Sequence, residues 1–129
     1  VCSQDGQECE NGQSHGRVNA DDTKLPGKSF DLVTIMYAFH EAPMQGREKI
    51  LIEARRLLNA GGTLAVIDIS TDYKPSSSML LGEPYVLEYQ SNIQSQLTNL
   101  KGFFRPECKV LVPGHVSMWL LKRGPITVI

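Results

Sequence analysis

No apolar run in this sequence approaches the length of a membrane span, and neither sign of charge prevails. Thirteen Lys and Arg stand against 14 Asp and Glu, a net charge of −1, which gives no field to steer nucleic acid or an anionic membrane onto the chain. Cysteine is scarce: Cys2, Cys9 and Cys108 are odd in number and form neither a C-x-x-C pair nor a Cys/His metal spacing. A disulfide framework is therefore not expected, nor any metal ligand set, and a reducing, cytoplasmic compartment is the expectation. The glycines near the start, Gly6, Gly12 and Gly16, are scattered and no apolar strand precedes them, so the glycine fingerprint of a nicotinamide oxidoreductase is missing. Apolar side chains are also few before Val18. Residues 1–17 hold one valine and two cysteines among polar residues, too little to offset the entropy of ordering them, and disorder is expected there. The polar start does not read as a signal peptide.

What the chain does have begins at Val18. Phe30 to Tyr37 reads FDLVTIMY, a nearly continuous apolar run that suits a strand covered on both faces in a parallel sheet. From Gly46 to Ala60 the period changes. Ile50, Leu51, Ala54, Leu57 and Leu58 fall on one helical face, with Glu48, Lys49, Glu53, Arg55 and Arg56 largely opposite. Gly61 and Gly62 should stop this helix, and Thr63 to Ile69, TLAVIDI, is a second buried strand. Strand, helix and strand with short links imply a right-handed parallel crossover. Asp72 to Gly82, with one proline and three serines in a row, reads as a loop. A second helix follows, with Pro84 in its first turn, a buried stripe of Val86, Tyr89, Ile93, Leu97 and Leu100, and Gly102 at its end. Finally Lys109–Val112 and Val116–Leu121 are separated only by Pro113, Gly114 and His115. That link is too short for a crossover, so the pair should be an antiparallel hairpin. The fold class expected is α/β with a mixed sheet, in one domain over residues 18–123 followed by a tail at 124–129.

These words and their order resemble class I, Rossmann-like methyltransferases, especially the ubiquinone/menaquinone-biosynthesis-like group. Ala20-Asp21, Leu25-Pro26 and Ser29-Phe30-Asp31-Leu32-Val33 match a recurrent path from one strand end into the next. Arg56-Leu57-Leu58-Asn59-Ala60-Gly61-Gly62 matches the helix end before a strand, with Ala60 where the family usually has proline. The resemblance covers Val18 to about Arg123 and implies the C-terminal portion of such a domain, its N-terminal strands, glycine loop and ribose-binding acid having no counterpart. It implies the strand order 4-5-7-6 in the family's numbering, the last strand antiparallel. It also implies S-adenosylmethionine as cofactor and a small-molecule methyl acceptor.

By the same resemblance Asp21 would accept a hydrogen bond from the adenine amino group, a task that suits a carboxylate, and Asp22 would offer its backbone N–H to a ring nitrogen. Tyr37 and Ala38 would line the methionine side of the cofactor. Phe39 and His40 would face the methyl-transfer channel, and Tyr85 and Tyr89 would shape the acceptor pocket. For each a plainer role stands beside the chemical one. Asp21 and Asp22 suit a polar turn, Tyr85 and Tyr89 suit ordinary packing, and Glu41 suits the cap of the next helical turn. His40 is the candidate base or acceptor-orienting group, or else a loop histidine bonded to nearby backbone. Methyl transfer often needs only proximity and alignment. Asp68, near the carboxyl end of its strand, is a further candidate, while Asp31 at a strand start suits a structural hydrogen bond. The competing expectation is an interaction module that catalyses nothing, self- or hetero-associating through strand 30–37 as an exposed sheet edge.

Overall fold

The computed structural model describes residues 19–125. The segment expected to be disordered, residues 1–17, lies outside that description, as do Val18, Cys2, Cys9 and residues 126–129 of the tail. In chain order the elements are β1 (Phe30–Met36), α1 (Met44–Leu57), β2 (Leu58–Ile69), α2 (Ser77–Gly82), α3 (Val86–Thr98), β3 (Glu107–Val112) and β4 (Val116–Lys122), with a 3₁₀ turn at Phe39–Glu41. They build one four-stranded sheet in the order β1-β2-β4-β3. β1 and β2 are parallel, in the register Val33 to Leu64 and Met36 to Ile67. β4 runs antiparallel to both β2 and β3. The expected crossover and the closing hairpin are both present, and the order is 4-5-7-6 in the family's numbering. His115 sits in the hairpin turn, its N–H bonded to the Val112 carbonyl at 2.9 Å.

The core lies on one face of this sheet. Leu64 and Val66 of β2 and Trp119 and Leu121 of β4 alternate inward. Leu51, Ala54 and Leu58 meet them from α1 and its end, and Tyr89, Ile93, Leu97 and Leu100 from α3 and just past it. Every member of the expected α3 stripe is buried, each contributing about 1.5–3 kcal/mol by removal from water. Trp119 satisfies its indole N–H on Gln94 at 2.9 Å. Across the core Arg47 of α1 is wholly buried. It donates to Gln96 Oε1 at 2.9 Å, to the Ala42 carbonyl at 2.7 Å and to Glu88, with its guanidinium 5.8 Å from the Tyr89 ring centre. One side chain thereby ties α1 to α3 and to the loop that leaves β1.

Four local expectations are corrected. Strand β1 is covered on one face only among the described residues: Val33 and Ile35 pack on the core, while Leu32 is 56% and Met36 53% exposed. The first helix ends at Leu57, before the glycines, and β2 starts at Leu58 and runs through them. The pairing jumps from Phe30–Leu58 to Leu32–Thr63, a bulge in which Gly61 takes φ +79° and Gly62 packs so closely on the Asn59 carbonyl that a Cβ would lie 2.9 Å from it. The segment from Asp72 to Gly82 is not all loop, because Ser76 Oγ accepts from the Met79 N–H at 3.1 Å and caps α2. Finally, Glu53 and Arg56 are not free surface charges. Glu53 is buried and accepts from the Thr23 N–H at 2.8 Å and from Arg56, while Arg56 also donates to the Leu25 carbonyl at 2.8 Å.

Candidate active site

The parallel strands β1 and β2 deliver their carboxyl ends to the same edge of the sheet, the edge where open α/β sheets place ligands. At the end of β1 the chain turns at once. Tyr37 adopts φ +56°, a left-handed conformation uncommon for a residue with a side chain, while its N–H still bonds the Ile67 carbonyl at 2.8 Å. A buried carboxylate holds this turn. Asp68, at the end of β2 and fully buried, accepts from the backbone N–H of Phe39 at 2.9 Å and of His40 at 3.2 Å through Oδ2. Its Oδ1 accepts from the Ile69 N–H and lies 2.8 Å from His40 Nδ1. A carboxylate can only accept, so Nδ1 carries a proton and Nε2 is the nitrogen left for another partner.

His40 is itself buried, at 8% exposure, and Nε2 faces two acids. Glu83, between α2 and α3, places Oε1 at 3.5 Å, and Glu41 places Oε1 at 3.6 Å. The second oxygen of Glu83 is buried without a hydrogen-bond partner among the described residues. Tyr85 follows two residues later, half-exposed at the start of α3.

The remaining site candidates are placed as follows. Tyr37 and Ala38 are exposed on the turn. Phe39 is fully buried in the core cluster, so it anchors the turn from below. Tyr89 is likewise fully buried; its hydroxyl donates to the Ile69 carbonyl at 2.9 Å, and burial together with the Asp68 charge pushes its phenol well above the ordinary range. Tyr85 and Tyr89 thus do not present a shared face: one is at the surface and the other within the core. Asp21 and Asp22 are exposed in a separate turn, where Asp22 pairs with Lys24 at 2.7 Å. The Asp22 N–H is already donated to the Asn19 carbonyl at 3.0 Å, so it is committed elsewhere than to a ring nitrogen. This turn is moored to α1 by Thr23, whose hydroxyl donates to Glu53. Hydrogen bonds from Arg56 hold the Glu53 carboxyl at about 2, against the ordinary 4.5; burial opposes them and Thr23 adds to them. Asp31 accepts from Asn59 Nδ2 at 2.9 Å, a structural bond at the base of β1.

Sequence reasoning named His40 and Asp68 singly but not as a pair, and it passed over Glu83 and Arg47. The pairing has a signal: two parallel neighbours, each with a polar residue at or just past its carboxyl end, bring those residues together once the strands are adjacent. Nothing in the local sequence marks Glu83, which reaches the site only through the path of α2.

As a receptacle for a nucleoside sulfonium, these residues fit in part. The exposed Asp21 carboxylate suits an exocyclic amino group, and the exposed Tyr37–Ala38 turn leaves an approach at the strand ends. The committed Asp22 N–H does not fit a ring nitrogen as expected.

The methyltransferase-domain family model matches residues 3–66, beginning ahead of the Val18 boundary at which the resemblance starts and ending within β2. No curated protein matches the chain. Among solved structures, the mitomycin 7-O-methyltransferase MmcR superposes with a TM-score of 0.66 at 19% identity, over 88% of this chain and 35% of its own. Phosphoethanolamine N-methyltransferase 2 of Haemonchus contortus, solved in complex with S-adenosyl-L-methionine, gives 0.64 at 12% identity, over 82% of this chain and 36% of its own. A SAM-dependent methyltransferase from Aquifex aeolicus gives 0.63 at 18% identity, over 88% and 56%. The chain therefore spans between about a third and just over half of these structures' length. The chain thus matches the methyltransferase-domain family over residues 3–66 and has, in its mixed sheet with the reversed closing hairpin, the class I, Rossmann-like fold of these S-adenosylmethionine-dependent methyltransferases.

Proposed function

We propose that this chain supplies the adenine-facing and acceptor-facing side of a site that transfers a methyl group from S-adenosylmethionine to a small-molecule acceptor. The observation that carries the reading is the buried Asp68, which spends four hydrogen bonds on its own strand end and on the turn at the carboxyl end of β1. A buried carboxylate is costly unless fully bonded, and this one fixes a backbone turn in a position where the family binds its cofactor. When bound, S-adenosylmethionine supplies an electrophilic methyl on a sulfonium. The chain's own residues bind and align. Asp21 accepts from the adenine amino group, and Tyr37 and Ala38 flank the methionine side. His40 presents Nε2 to the acceptor side, where it orients an acceptor or takes its proton. Tyr85 borders that opening, while Phe39 and Tyr89 hold it up from within the core.

The test is calorimetric titration of the full chain with S-adenosylmethionine. Saturable heat that is lost on Asp21→Ala and weakened on Tyr37→Ala supports the reading. No heat at millimolar cofactor would overturn it and leave kinship of fold alone.

The exposed outer edge and outer face of β1 favour a second reading, an association module built on this fold. Light scattering that reports a strictly monomeric chain would count against it.

A further inference from the structure

We propose that His40, Glu41 and Glu83 form a site for one divalent transition-metal cation, with Asp68 as the hydrogen-bonded support of its imidazole ligand. The inference is independent of cofactor binding. Among the described residues these three side chains are the grouping whose ligand atoms converge, all lying within 4.8 Å of one another.

The distances carry the argument. Nε2 of His40 lies 3.5 Å from Glu83 Oε1 and 3.6 Å from Glu41 Oε1, too long for good hydrogen bonds, which cluster near 2.9 Å. Two ligands bound tetrahedrally at about 2.0–2.1 Å from a metal lie about 3.4 Å apart, close to the separation of Nε2 from each carboxylate oxygen. The chemistry agrees. Nδ1 is given to a buried carboxylate, the carboxylate–histidine arrangement that fixes ring orientation and leaves Nε2 as the donor to a metal. The carboxylates of Glu41 and Glu83 converge on one imidazole nitrogen and repel each other there, and a divalent cation balances them. Independently, Glu83 Oε2 is buried with no partner among the described residues, and a carboxylate that binds the cation through both oxygens would give it one. One nitrogen and two carboxylate donors suit Mn²⁺, Fe²⁺ or Zn²⁺ better than Ca²⁺, and open positions remain for a water or an oxygen-bearing molecule. With the cation bound, His40 is a ligand and not a proton acceptor.

The full chain should be titrated with Mn²⁺, an ion with little affinity for the cysteines, and the free-ion electron paramagnetic resonance signal followed. One equivalent is expected to bind saturably, and Glu83→Gln and Glu41→Gln are each expected to weaken it roughly tenfold or more. Glu107→Gln, on the distant strand β3, should leave binding unchanged. Circular dichroism melts check the variants; Glu41 is exposed, so Glu41→Gln keeps the fold and the test stands even if Glu83→Gln does not. No saturable uptake at millimolar Mn²⁺, or uptake that Glu41→Gln leaves unaltered, would overturn the proposal. Cofactor titration of the metal-free chain separates that failure from a failure of the methyltransferase reading.

Discussion

Asp68 and Glu53 show how differently two carboxylates of one chain are used. Asp68 is surrounded by N–H donors from a turn that has no other acceptor for them. Replacing it with alanine leaves those groups buried and unpaired, and an expected loss of about 2–4 kcal/mol can be read from urea denaturation. Glu53 works through charge. Its folded value of about 2 lies below the ordinary 4.5. The stability it gives is therefore present in full above about pH 4.5 and disappears as pH falls toward about 2. In urea midpoints taken across that window, Glu53→Gln is expected to start lower at neutral pH and to show a flatter acid limb than the parent chain. Equal slopes for both proteins would contradict this assignment.

At the level of elements, the connection between α1 and α3 rests on a charged residue inside the core. Arg47 has four partners, three on α3 and one in the loop ahead of α1. Arg47→Met keeps the volume but strands Gln96, the Ala42 carbonyl and Glu88, and an expected cost of about 3 kcal/mol follows, measurable by chemical denaturation. Within β2, Gly62→Ala would place a Cβ 2.9 Å from the Asn59 carbonyl, and a lowered melting temperature is expected. Much of this layer was legible in the sequence because period is a physical signal. Val86, Tyr89, Ile93, Leu97 and Leu100 recur at the spacing that a helix on a sheet must bury. The three-residue link between β3 and β4 admits only a hairpin. What escaped reading depends on tertiary pairing. The apolar run FDLVTIMY cannot say which of its faces will be covered, and the double glycine could not tell a helix stop from a bulge. Arg47 looks like any surface arginine until α3 arrives with Gln96 and Glu88. In the site, His40 and Asp68 were visible separately, yet their contact spans 28 residues and exists only once β1 and β2 lie side by side.

Among the described residues a single helical layer covers one face of a mixed sheet, and His40, Glu41, Asp68 and Glu83 gather at the carboxyl ends of β1 and β2. The chain shares this arrangement with methyltransferases at 12–19% identity, so what it holds in common with them is shape. The central proposal is therefore one of location: that the Asp21 turn and the Asp68-held turn at Tyr37–His40 face a common ligand. Amide chemical shifts of the isotopically labelled full chain, recorded as S-adenosylhomocysteine is added, test it directly. The account predicts saturable shifts concentrated at residues 20–22 and 37–40. Saturable shifts concentrated instead on the hairpin of β3 and β4, or no shifts at millimolar ligand, would contradict it.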